Sequence, residues 1–302
     1  MNLIVDGGSL IHRVHWIGQK HEFITSYGEN VSDIYMFLNT IRSYVQLFNC
    51  SSVYVAWDKK ILWPSTNFRK ENFKEYKGQR DKEQSKEVYL HEDEIIRILG
   101  LLGIKNMLPR IMEADDVISW LSRKLQGPNI IVSSDGDLLQ LVSETTSFYQ
   151  PFKKILIDIK NFEEHIKVPL KAFLFYKAIK GDISDNITGI KGYGEVKSKE
   201  LAKKITLNPS SIQNFLNNDE LEKFNKNIKL MDLAQGYKLA GPEEIQEYEN
   251  QFNKVLDINP QMNEFKQICE KYEFQRFLNK FEEWERLFGR QNSKLIDILN
   301  HI

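Results

Sequence analysis

Only two cysteines, Cys50 and Cys269, occur in 302 residues, far apart and in no CxxC spacing. A disulfide framework and a thiolate metal site are therefore not expected, and a reducing compartment is the default. No apolar stretch approaches the roughly 20 residues of a membrane-spanning helix. The chain starts almost at once on Leu3-Ile4-Val5 with no basic-then-apolar leader, so a soluble, cytoplasmic protein is expected. Charge of one sign is also lacking: 41 basic residues face 42 acidic ones, and the total does not advertise a polyanion partner. Low-complexity tracts and internal repeats are missing too. No GxGxxG or Walker A pattern follows any strand-like run, which excludes dinucleotide and P-loop chemistry.

What the chain does have is 41% hydrophobic content in a telling order. Up to about residue 165, short apolar runs alternate with helical spacings: Val31 to Phe48, Glu92 to Leu102 before Gly103, and Ala114 to Leu125. Ile104 to Leu108 reads as a short strand. Such alternation predicts an α/β fold with a central, mainly parallel sheet flanked by helices. Beyond Leu170 the spacing is helical almost throughout, as in 173–179, 201–205 and 265–288. The division expected is an α/β core over 1–168 and a helical region over 169–302.

Three of the apolar runs stop at an aspartate: LIV at Asp6, VYVAW at Asp58, and IIVSS at Asp135 with Asp137 two residues on. A single Asp past a strand is usually a turn former or helix cap. Three in one parallel sheet would meet beyond the carboxyl ends of the strands, where ligands bind, and would repel one another without a cation. Two more acidic clusters follow, Glu113-Ala114-Asp115-Asp116 and Asp182-Ile183-Ser184-Asp185. The helix dipole accounts for acids at a helix start, but three in four residues exceed what capping requires. An all-oxygen ligand set selects Mg²⁺ or Mn²⁺, and nine acids suffice for two ions about 3.5–4 Å apart. An EF-hand is excluded for want of its closing glutamate, and a haloacid-dehalogenase-like phosphatase because Gly8 stands where its second Asp belongs.

Residues 59–86 break the α/β pattern with nine basic residues against four acidic ones, interleaved with Trp63, Phe68, Phe73 and Tyr76. Charge runs are usually solvated faces. Cations beside rings also suit single-stranded nucleic acid, through phosphate contacts and base stacking. Farther on, glycines 189, 192 and 194 precede a helix from about Glu195. A tight turn needs glycine for its own sake, yet its amides and the helix N-terminus can hold a phosphate.

Taken together and in order, LIVDGGSLIHR, AWD, FKEYKGQR, EADDVISWL, SSDGDLLQLV and GDISDNITGIKGYG resemble the 5′-nuclease family. That family includes flap endonucleases, the 5′→3′ exonuclease domain of bacterial DNA polymerase I and phage RNase H-type exonucleases. The resemblance spans residues 3 to about 205. It implies a PIN-like core, a helical arch over 59–90 and a helix-hairpin-helix at about 180–205. One metal is implied near Asp6, Asp58, Glu113, Asp115 and Asp135, a second toward Asp116, Asp137, Asp182 and Asp185. Lys77 and Arg80 are the implied catalytic cations on the scissile phosphate, and Tyr76 stacks on a base. Arg13, Gly189, Lys191, Gly192, Gly194 and Lys197 are the other implied nucleic-acid contacts, with a monovalent cation such as K⁺ at the hairpin. Two departures are Lys59 in place of a usual glycine and Val196 in place of a frequent lysine.

The implied function is metal-dependent 5′→3′ exonuclease and flap endonuclease action, including RNase H-type removal of RNA primers, at 5′ ends of DNA or RNA–DNA duplexes during replication. A monomer in a bacterial cell or phage-infected host is expected, working beside single-strand-binding protein, polymerase or clamp. A catalytically inactive, structure-specific DNA-binding protein on the same scaffold is the alternative from another class. A PIN-like RNA nuclease is disfavoured because it has neither arch nor hairpin.

Overall fold

The computed structural model describes residues 1–58, 69–70, 73–77, 87–239, 241–255 and 259–289. Most of the expected arch, with Lys59 and Arg80, lies outside those residues.

A six-stranded sheet in the order β3-β2-β1-β4-β5-β6 forms the centre. Its strands are β1 (Asn2–Asp6), β2 (Ser52–Ala56), β3 (Lys105–Met107), β4 (Asn129–Val132), β5 (Thr146–Gln150) and β6 (Ile155–Ile157). All neighbours pair in parallel except β5 with β6. The mainly parallel sheet is thus as expected; β5 and β6 are not legible in the sequence, β5 because polar residues interrupt it and β6 because it has only three residues. The chain runs outward from β1 through β2 to β3, then returns to place β4 on the other side of β1. That reversal is the topological switch point, where such sheets bind ligands.

Strand alternation feeds two cores. Leu3, Val5, Val53, Val55, Ile130 and Val132 enter one; Ile4, Tyr54, Ala56 and Ile131 enter the other. The first core is closed by α1 (Gly7–Gly18), α2 (Ser32–Phe48) and α3 (Glu92–Leu101). In α2, Ile34, Phe37, Leu38, Ile41, Tyr44 and Val45 are buried, the i, i+3, i+4, i+7 stripe of a core-facing helix. The second core is closed by α4 (Ala114–Lys124) and a helical run, with Phe162 of α5 (Phe162–Ile166) beside them. That run comprises α6 (Leu170–Lys180), α7 (Glu195–Leu207), α8 (Asn218–Met231), α9 (Leu233–Leu239) and α10 (Pro242–Val255).

The last helices, α11 (Met262–Lys271), α12 (Gln275–Leu278) and α13 (Phe281–Phe288), return to the first core through Phe265, Phe277, Trp284 and Phe288. A boundary at 168/169 therefore does not divide the packing. No helix among the described residues is long and apolar enough to cross a membrane.

Between α6 and α7 lies a two-stranded antiparallel ribbon, β7 (Gly181–Asp182) with β8 (Ile187–Thr188), followed by the turn 189–194. Backbones cross closely there: a Cβ at Gly189 would lie 2.0 Å from the Lys180 carbonyl oxygen. Gly192 has φ +86°, in the left-handed region. Asn227 of α8 pins the unit by donating to the carbonyls of Ala178 (2.9 Å) and Thr188 (3.1 Å).

Candidate metal and nucleic-acid site

Asp6 ends β1 and caps α1: its Oδ1 accepts from the Ser9 amide at 2.8 Å and its Oδ2 from Ser133 Oγ at 2.6 Å. Gly8 leaves open the space between two acids, since a Cβ there would sit 3.2 Å from Asp58 Oδ2 and 3.6 Å from Asp6 Oδ1. Asp58, just past β2, accepts from the Ala114 amide at 3.0 Å, at the start of α4. Asp135, past β4, accepts from the Asp137 amide at 2.8 Å. Sheet and helix thus bring Asp6, Asp58, Asp115 and Asp135 within range of one another's charge.

The cost of that gathering appears in their protonation. Burial, added to by Asp58 and Asp135, pushes Asp6 up to about 7. Asp115 is raised well above the carboxylate range by burial and then by Asp135 and Asp6. Burial, opposed by Lys177, still lifts Asp137 to about 6. Strongly shifted acids clustered at a switch point mark a functional-site candidate.

Basic side chains reach into the group. Arg69 is buried; its guanidinium forks onto Asp116 (2.5 and 2.8 Å), touches Glu113 at 3.1 Å, and donates from Nε to the Leu230 carbonyl. Tyr76 donates its hydroxyl toward Glu113 (2.9 Å) and Asp185 (3.2 Å). The Lys77 ammonium lies 2.8 Å from Glu113 and 3.9 Å from Asp185. The Lys77 amide donates to the Asp185 carbonyl, and Asn186 Nδ2 to the Glu75 carbonyl, stitching residues 75–77 to the acidic turn 182–186. Lys177, on the last turn of α6, lies 2.6 Å from both Asp137 and Asp182.

Of the site residues expected from sequence, eight acids thus form two facing groups bridged by Lys77. Asp116 is turned to Arg69 and also accepts from the Glu113 amide. Arg13 stands apart on the α2–β5 side, donating to Tyr44 at 2.6 Å with its guanidinium 5.3 Å from the centre of the Phe152 ring. Lys191 and Lys197 are exposed at the turn and the start of α7, beside the equally exposed Val196. Sequence reasoning did not single out Arg69, Ser133 or Lys177. A lysine in a helix's last turn reads as a dipole partner, and nothing in one sequence tells that Lys177 faces two aspartates.

No three Asp, Glu, His or Cys side chains among the described residues already form a finished ligand set; the cationic side chains lie between them. The donors themselves, all carboxylates, fit a hard divalent cation. Asp137 and Asp182 support that fit: together they already draw one cation, the Lys177 ammonium, to 2.6 Å from each.

Residues 1–167 match the family model of the 5′-3′ exonuclease N-terminal, resolvase-like domain. The chain belongs to the 5′-3′ exonuclease family. Within it, a 5′-3′ exonuclease of Mycoplasmopsis pulmonis is 33% identical over 202 residues, 66% of this chain and 65% of that relative. One from Buchnera aphidicola subsp. Schizaphis graminum is 31% identical over 72% of this chain and 74% of its own length. The match to Thermus filiformis DNA polymerase I, 28% identical, takes in 92% of this chain but 33% of the polymerase. Among solved structures, the D15 protein of phage T5 shares the fold, with TM-score 0.66 over 85% of this chain and 99% of its own at 23% identity.

Proposed function

We propose that this exonuclease-family protein is a divalent-cation-dependent, structure-specific 5′ nuclease. It hydrolyses phosphodiesters near the 5′ ends of DNA or RNA–DNA duplexes, removing flaps and RNA primers in replication. The observation that carries the reading is the pair of facing acid groups with Lys77 between them. One group gathers at the ends of β1, β2 and β4 and the start of α4; the other joins Asp137, just past β4, to the turn after α6. Names in the family agree: relatives are 5′-3′ exonucleases and a Shewanella denitrificans flap endonuclease. A T5 D15 flap endonuclease structure holds DNA and metal ions.

Asp6, Asp58, Glu113, Asp115 and Asp135 would hold one Mg²⁺ or Mn²⁺, and Asp137, Asp182 and Asp185 the other. When bound, such ions lower the pKa of water and offset charge on the leaving oxygen. Asp116 belongs with Arg69 as the anchor of the arch base. Lys77, freed from Glu113, would meet the scissile phosphate and balance the charge that grows on it. Tyr76 sets the position of that lysine; its ring is buried against Ile187, Leu230 and Met231, so the base stacking expected from the sequence is closed off in this conformation. The 189–194 turn and the start of α7 would grip the duplex backbone through their amides and Lys191 and Lys197, with K⁺ at the hairpin. Arg80, outside the described residues, would share that charge with Lys77.

The test uses labelled 5′-flap, nicked and RNA-primed duplexes. Cleavage is expected with Mg²⁺ or Mn²⁺, none in EDTA, and loss with Asp135→Asn. Lys77→Ala should lower kcat by about 10²–10³, the size of losing one charge-stabilising group. Cleavage in EDTA would contradict the reading. Intact DNA binding with no cleavage of any substrate would leave an inactive DNA-binding protein.

A further inference from the structure

We propose that Lys177 is a built-in counter-ion of the second acid group: its ammonium stands between Asp137 and Asp182 where a divalent cation binds, and must leave for that cation to enter. This rests on the reading of Asp137, Asp182 and Asp185 as cation ligands.

The geometry is that of one cation shared between two carboxylate oxygens. Lys177 Nζ lies 2.6 Å from Asp182 Oδ2 and donates a hydrogen bond to it. It lies equally close to Asp137 Oδ1, a buried oxygen, at 2.6 Å. An ammonium has three directional donors; a metal ion has none and accepts oxygens from any side. The other Asp182 oxygen is held by the Ser184 amide at 2.8 Å, which keeps Oδ2 aimed inward. Asp137 is fixed on the 3-10 turn Gly136–Leu141 that follows β4. The two oxygens therefore stay in place if the ammonium goes. Lys177 alone has the freedom to move, on a four-carbon stem from the end of α6.

Charge gives the direction of the effect. Beside three carboxylates, one ammonium leaves the group anionic, so a dication still gains by replacing it. Retaining both would set ammonium against metal at contact distance. Cation binding is thus coupled to an outward swing of Lys177. Where the blocked state holds nine molecules in ten, the apparent affinity of this site is about tenfold weaker than its intrinsic affinity.

Mn²⁺ titration by calorimetry and thermal unfolding in EDTA, on the full chain, test this without reference to activity. Wild type should bind two ions. Lys177→Met and Lys177→Gln should bind the weaker one about tenfold more tightly, melt lower in EDTA and gain more on adding Mn²⁺. An unchanged or weaker second site in the variants, with two ions bound by wild type, overturns the role of Lys177 alone. Wild type binding no Mn²⁺ overturns the cation reading beneath it. Wild type also gives a readout that needs no variant. Amine-reactive labelling of Lys177, followed by mass spectrometry, should rise several-fold relative to other lysines when Mg²⁺ is added. Labelling that stays flat or falls while Mg²⁺ binds contradicts the swing.

Discussion

Asp6 is buried among acids and held near pKa 7 against an ordinary value of 3.8. Between those values the folded chain keeps a proton that the unfolded chain has released. The stability contributed by protonated Asp6 is therefore complete below about pH 3.8 and is lost as pH rises through about 7. In EDTA the melting temperature should fall from pH 5 to pH 8, and Asp6→Asn should flatten that fall. Mg²⁺ should stabilise more at pH 8 than at pH 5. A wild-type melting curve indifferent to pH in EDTA would contradict the crowded-acid account. Arg69 carries the opposite risk, a buried cation. Arg69→Met leaves Asp116 fully buried without its partner, so destabilisation of about 3–5 kcal/mol is expected in urea melts. The acids were legible in the sequence because strand ends fix where they point. Arg69 was not, because Glu113 and Asp116 lie on an element distant in sequence, and Lys177 was not, because Asp137 comes from the far side of the fold and Asp182 meets it only through the turn of the chain after α6.

At the scale of elements, the ribbon between α6 and α7 shows how little slack the acidic turn has. Gly189 is required by space: an added Cβ would meet the Lys180 carbonyl at 2.0 Å and the Ile179 carbonyl at 2.7 Å. Gly189→Ala must push β8 away from β7, moving Asp182 and Asp185 with it. A stability loss of about 1–3 kcal/mol is expected, together with weaker binding of nicked duplex in gel-shift titration. Unchanged melting and binding would show that the crossing can relax. Glycine spacing revealed a turn at 189–194, but not that Gly189 serves the crossing while Gly192 serves the left-handed φ. Strands β1, β2 and β4 were visible as apolar runs because both of their faces are buried. β5 and β6 were not: β6, at the sheet's edge, leaves Leu156 exposed, and its neighbour β5 carries polar residues that blur the pattern.

Over the whole molecule, the two cores are tied by the chain's path. Sequence suggested a cut after residue 168, since the periodicity changes there. Periodicity reports which kind of element forms, not which core it closes. Phe265, Phe277 and Trp284 cover the side of the sheet that also receives α1 and α2, and Glu283 of α13 pairs with Arg42 of α2 at 3.0 Å. The helix that Asp6 caps is therefore seated on a core that residues 262–288 complete. Trp284→Ala should cost about 3–5 kcal/mol, as for other fully buried aromatics. A chain ending at residue 261 should lose Phe265, Phe277, Trp284 and Phe288 together, more than the marginal stability of about 5–15 kcal/mol of a typical domain can absorb. Circular dichroism of that truncated chain should show loss of cooperative unfolding, and flap cleavage should vanish with it. A truncated chain that melts cooperatively and still cuts would mean the α/β core needs no cover from the C-terminal helices.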